Sequence, residues 1–287
     1  MATKTADPTY TLDGKALSYD RYRYELAIRQ QVTLEQVNRI ASAQTAQVVG
    51  AASALGQQEM GGFLRKVLPP LIDQYGNVNA VAAMNYYDQI RTAWLIKNGT
   101  GRGSRATNQR RMAQRVAGAK LSGQVYKARL PLFNSAEKAD GVVNYAMALF
   151  MDQGFQAMDA GVQNSLTRAV ASYHHDTMLY NASLDEAVYK VQRVAEAKAC
   201  AFCRMVAFKS GKTVYARKQN GELTADALAN LRTAEYAIKF HDHCHCTIET
   251  LYQGDQPIRP DYYDQFEAEY TKFGGDLNEW RANTNAR

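Results

Sequence analysis

The residue types with the greatest chemical potential in this sequence are its thiols and imidazoles. All four cysteines and three of the five histidines fall between positions 200 and 246. They read Cys200-Ala-Phe-Cys203 and, forty residues on, Cys244-His245-Cys246, with His241 and His243 just before. A Cys-x-x-Cys turn points two sulfurs toward one tetrahedral ion, and a second pair completes its shell. If 241–246 is extended, alternation sends Cys244 and Cys246 to one side and the three histidines to the other, giving a four-cysteine site. If the chain turns before Cys244, His241-x-x-Cys244 becomes the second chelating pair, His241 is the alternate fourth ligand and Cys246 is left over. Either set, three or four thiolates, describes a closed shell, so the expected cofactor is a structural Zn2+ that braces a small lobe. The alternatives are a disulfide or a redox dithiol. The opening MATKTADPTYTLDGK lacks the apolar run of a secretory signal, which predicts a reducing compartment and disfavours a disulfide. The first pair follows a helical pattern and not the strand of a βαβ unit, which disfavours a thioredoxin-like dithiol.

A second chemistry is electrostatic. The net charge is +6, yet no acidic residue occurs between Asp88 and Glu137, and the window Lys97–Arg129 holds nine cations. Arg102, Arg105, Arg110, Arg111 and Arg115 are the candidate contacts to nucleic-acid phosphates, through salt-dependent attraction without base readout, because Tyr126 is the one aromatic nearby after Trp94. A solvated basic loop explains the same residues equally well. Residues 255–280 are opposite in sign, with seven acids against two cations. The stretch Asn98-Gly-Thr-Gly-Arg-Gly-Ser104 has three glycines but lacks the lysine and the preceding strand of a phosphate-binding loop, so it predicts a flexible basic loop at 98–116.

Nucleophilic catalysis is weakly represented. Ser172 stands near His174, His175 and Asp176, but no Gly-x-Ser-x-Gly elbow occurs, and His174-His175 reads as a surface pair at a helix end. Cys203 with His241 is a conceivable thiol–imidazole pair, though it would consume the proposed metal ligands.

The elements that must position these groups are mostly helices. The 287 residues are 46% apolar, and no window approaches the roughly 18–20 uninterrupted apolar residues of a membrane span, so no membrane role is expected. Prolines are absent from 132 to 256. Capping-box patterns at Thr33–Gln36 and Ser183–Glu186 predict helices from about 33 to 50 and from 184 toward Cys200. Others are predicted from about 60 to 75, kinked or split at Pro69-Pro70, then from Asn77 to Ile96, Asn134 to Gly154, Phe155 to Tyr173 or beyond, and Asp261–Phe273. Beyond Cys200 the texture turns to short β-prone pieces, at 213–216 and 247–252, around a helical insert near 225–237. The expected fold is therefore mainly α: an elongated helical scaffold followed by a small zinc-stabilised α+β lobe. The expected divisions are 1–130, 131–199, 200–256 and an acidic helix and tail at 257–287.

Taken together, Cys200-Ala-Phe-Cys203-Arg-Met-Val-Ala, Val214-Tyr215 and Phe240-His-Asp-His-Cys-His-Cys246 resemble the C-terminal signature of the MuF-like minor head proteins of tailed bacteriophages. Asn79-Ala-Val-Ala-Ala-Met-Asn-Tyr-Tyr-Asp-Gln-Ile-Arg91 resembles that family's alanine-rich helix. The likeness covers most of 75–255 and is specific only at the cysteine motifs; the basic glycine loop maps to no family motif. It implies a portal-associated minor capsid protein in head assembly, DNA packaging or DNA ejection. Its implied partners are the portal protein, major capsid or scaffold proteins and the phage DNA backbone, and its implied location is the virion, with host cytoplasm during assembly. Members are often labelled capsid maturation proteases, which leaves a protease as one alternative reading and a nucleic-acid-binding protein as a second.

Overall fold

A computed structural model describes residues 8–99, 127–209, 215–217, 223–225 and 245–284. A hairpin comes first, β1 (Tyr10–Leu12) against β2 (Lys15–Leu17). It turns at Asp13-Gly14, both at positive φ (49° and 75°), the geometry an Asp-Gly pair supplies. Ser18 then caps α1 (Tyr19–Ala52), accepting the Arg21 N–H at 3.4 Å. The helix start predicted at Thr33 is thus inside α1, where the Thr33 hydroxyl donates back to the Arg29 carbonyl at 3.0 Å.

The long helix α2 (Gln57–Gly99) passes through Pro69-Pro70 without a break, so the two predicted helices are one. Leu64, Leu68, Ile72 and Tyr75 form a buried stripe across the proline pair, and Pro70 is exposed. Packing on both sides offsets the cost of about 3 kcal/mol that an interior proline imposes. Asn134 caps α3 (Ser135–Gln153), accepting the Glu137 N–H at 3.1 Å. Gly154, at φ 84°, separates it from α4 (Phe155–Leu184).

The helix predicted beyond Ser183 is a strand, β3 (Val188–Val194). Asp185 ends α4 with extended backbone, and its carboxylate accepts the Ala187 N–H at 3.1 Å. The valines at 188, 191 and 194 imitate a helical stripe because residues 191–194 are buried on both faces, which removes the period-two signature of a strand. β3 lies between β4 (Tyr215–Arg217) and β6 (Thr247–Tyr252), with β5 (Leu223–Ala225) beyond β4, in an antiparallel sheet of order β5-β4-β3-β6. Leu223–Ala225 being strand trims the predicted helical insert at its first residue; the rest of that insert lies outside the described residues. Among the described residues three small helices follow, α5 (Ala201–Lys209), α6 (Tyr262–Lys272) and α7 (Leu277–Thr284).

The four long helices share one core at the end where α3 packs, built on Leu64, Leu68, Ile72, Val143, Val162 and Leu166. A second core at the other end joins α1, α2 and α4 to the sheet through Tyr86, Ile90, Met178, Val191 and Ile248. Buried charge fastens that seam. Arg23 of α1 donates to Glu249 Oε1 of β6 from Nε (3.0 Å) and Nη2 (2.9 Å), and Tyr86 of α2 donates to Glu249 Oε2. Arg91 of α2 meets Asp185 at 2.7 Å, and Tyr87 donates to the same carboxylate at 3.0 Å. The protein is mainly helical with a small sheet region.

Candidate metal centre

The β3–β6 ladder is what brings the two cysteine segments together. Its last register pair is Val194 with Thr247, so Cys246, one residue before β6, sits at the end of β3 where the chain leaves for Cys200. Cys200 directly precedes α5 and Cys203 lies in its first turn; the Cys200 carbonyl accepts the Arg204 N–H at 2.9 Å. Cys203 and Cys246 are buried in one cluster with Ala195, Tyr263, Phe266 and Trp280, and Cys200 packs against it. Three of the predicted ligands, from both ends of the motif, therefore lie in or against one buried cluster.

Several side chains fix this lobe. Tyr263 accepts the Ala195 N–H at 2.9 Å and Tyr262 donates to the Ala195 carbonyl at 2.8 Å, so α6 clamps the exit of β3. Burial pushes both tyrosine hydroxyls above their ordinary value, and the neighbouring Cys246 adds to the push. Arg204 lies 5.0 Å over the Phe266 ring and donates to Glu269 at 2.9 Å, tying α5 to α6. Gln192 bonds both ways to the Ile258 backbone, donating at 2.6 Å and accepting at 2.8 Å.

Sulfur donors at the opening turn of a helix fit a soft cation, because the N-terminal end of the helix dipole favours the thiolate. Among the described residues, no three His, Cys, Asp or Glu side chains stand together as a metal-holding group. Cys244, His241 and His243 lie outside the described residues, as do Arg102, Arg105, Arg110, Arg111 and Arg115. His245 meets Glu196 at 3.3 Å, both near the surface.

His174-His175 corrects the expectation of a surface pair, since both rings are buried inside α4. His175 Nε2 is 2.8 Å from the Cys246 carbonyl, which can only accept, so that nitrogen carries the hydrogen. The sequence reading missed this link between helical body and cysteine lobe. Its signal was the buried run around the pair, at Val170, Ala171, Met178 and Ala182. Burial, with His175 beside it, drives His174 far below the usual imidazole range. Ser172 donates to the Ala169 carbonyl at 2.8 Å and accepts from Lys138 at 2.7 Å, so neither bond links it to His175 as a nucleophile to its base.

A family model described as "VG15 protein" matches residues 111–273, more than half of the chain and spanning α3, α4, the sheet, α5 and α6. No curated protein and no solved structure matches. The chain belongs to the VG15 protein family, a phage-associated family, and Cys200, Cys203 and Cys246 lie within the matched region.

Proposed function

We propose that this protein is a minor head protein of a tailed phage, of the MuF-like kind, bound at the portal vertex as a structural part in head assembly, DNA packaging or DNA ejection. Membership of a phage-associated family across 111–273 is the observation that carries the reading. The long helical body and the small lobe folded around Cys200, Cys203 and Cys246 suit an assembly part whose lobe is braced by a structural Zn2+. In this reading Cys244 or His241 completes the shell. The partners are the portal protein, with major capsid or scaffold proteins, and the basic segment 97–129 meets DNA phosphates or an acidic portal surface.

The test is to co-express the chain with the portal protein of its phage and to assay purified heads by quantitative mass spectrometry. The expected result is a stable portal complex on size exclusion and a low, fixed copy number per head. Absence from purified heads would overturn the assignment.

A further inference from the structure

The last described helix is attached through a joint whose two sides are each complete. α6 closes on its own turn, where the Gly274 and Gly275 N–H groups donate to the Thr271 and Tyr270 carbonyls at 3.0 and 3.1 Å. α7 opens on its own cap, the Asp276 carboxylate accepting the Asn278 and Glu279 N–H groups at 2.7 and 3.2 Å. Between them stand two consecutive glycines at positive φ, 61° and 78°, where the backbone is freest to take another path. Swinging α7 away about Gly275 and Asp276 gives up the turn bond from the Asp276 N–H to the Phe273 carbonyl, at 3.0 Å, and leaves both helix ends capped.

The hold of α7 on the lobe centres on one side chain. Trp280 is completely buried in the cluster that contains Cys203, Tyr263 and Phe266, and its ring meets that of Tyr270 with centroids 5.4 Å apart. Asn278, Glu279, Ala282 and Asn283 of the same helix are exposed. An indole in a desolvated pocket with a polar rim is the way a partner's helix anchors at an interface. α6 is fastened by other means: Tyr262 and Tyr263 bond the Ala195 backbone, and Glu269 accepts from Arg204 of α5. The pocket walls on α5 and α6 therefore stay joined when α7 leaves.

We infer that α7 is an exchangeable arm: the pocket on α5 and α6 that takes Trp280 of its own chain also docks α7 of a second copy of this chain. The ligand that fits the pocket is present on every copy, and the contacts made within a copy and between copies are the same. Among the described residues no element follows α7, so its exchange displaces nothing else. In dilute solution the arm stays on its own copy, because the short tether holds it at an effective concentration on the order of mM. Crowding the copies together, or shortening the turn, moves the balance toward exchange. The inference rests on the packing of Trp280 and holds whether or not the thiols bind a metal or the protein sits at a portal vertex.

The test is sedimentation velocity on the full chain and on a variant lacking Gly274 and Gly275, whose arm is too short to fold back. The shortened variant is expected to be a dimer at concentrations at which the wild type is a monomer. Excess synthetic peptide of residues 276–284 fills the pocket and returns the variant to monomer, whereas the same peptide carrying Trp280→Ala leaves it dimeric. Fluorescence anisotropy of the labelled peptide on the wild-type chain decides the matter even if the shortened variant fails to fold. Binding is expected at chain concentrations on the order of mM, where the peptide competes with the tethered arm, and it weakens at least tenfold with Trp280→Ala in the peptide. A monomeric shortened variant, a dimer that the peptide leaves intact, no peptide binding to the wild type, or equal action of the two peptides would overturn the inference.

Discussion

Single side chains carry charge into places water does not reach, and their pairing sets what a substitution costs. Arg23 and Glu249 are both essentially inaccessible, and burial raises the Glu249 carboxyl above its ordinary range even though Arg23 pulls it down. Removing one partner strands the other, which costs about 3–5 kcal/mol. Arg23→Met or Glu249→Leu alone should each lose that much in urea denaturation at pH 7. The double variant should lose clearly less than the sum, and a strictly additive result would show that the two do not act as a pair. His174 gives a pH dependence whose sign follows from its direction. Its folded pKa lies far below 6.5, so on acidification the unfolded chain binds a proton that the folded chain refuses. Stability is therefore intact above about pH 6.5 and declines below it, by at most about 1.4 kcal/mol per pH unit. Urea midpoints at pH 7 and pH 5 should draw closer in His174→Phe than in the wild type; an unchanged gap would clear His174 of the effect.

Elements are positioned by close approaches that only some residues allow. At Gly76 an added Cβ would stand 2.7 Å from the Tyr173 ring, which stacks on Phe133 with centroids 3.8 Å apart and donates to Asp73 at 2.9 Å. That ring cannot yield, so Gly76→Ala should destabilise by about 1–3 kcal/mol despite the better helix former. Gly141→Ala, in open space, should instead gain about 0.5–1 kcal/mol. Scanning calorimetry on the two variants separates them, and equal shifts would contradict the packing of α2 on α4. The same contrast explains how much could be read from sequence. The helix start at Asn134, the break at Gly154 and the helix predicted over Asp261–Phe273 were legible because each is a local rule met by local residues. The continuity of α2 through Pro69-Pro70, the strand at Val188–Val194 and the burial of His174 and His175 were not. Each depends on what packs against the segment: a stripe spanning two prolines, a sheet covered on both faces, a helix wedged among three others. At the cysteine lobe, the β3–β6 register carries Cys246 to the end of β3 that leads on to Cys200, so residues distant in sequence share one buried cluster, although among the described residues no three metal-ligating side chains stand together.

The whole molecule is unevenly equipped to hold itself together, and this makes the role of the thiols measurable. The helices and the sheet share two large apolar cores, whereas among the described residues the lobe of α5, α6 and α7 gathers fewer buried side chains, of which Cys203 and Cys246 are two. Thiols that merely packed would be replaceable by alanine at about 1–2 kcal/mol, since little volume is lost. Thiolates gripping Zn2+ would instead contribute binding energies on the order of 10–16 kcal/mol, as in small zinc modules, and the lobe would depend on the ion. The body, joined to the lobe through the His175 bond to Cys246 and the α6 clamp on Ala195, would keep its own transition. Purified protein should therefore carry one zinc per chain by elemental analysis. A strong chelator, or Cys203→Ala, should abolish a low-temperature unfolding step while leaving the helical transition in place. A chain free of zinc, whose melting neither chelator nor Cys203→Ala changes beyond the packing cost, would leave the sulfurs as ordinary core side chains and remove the metal from the proposed function.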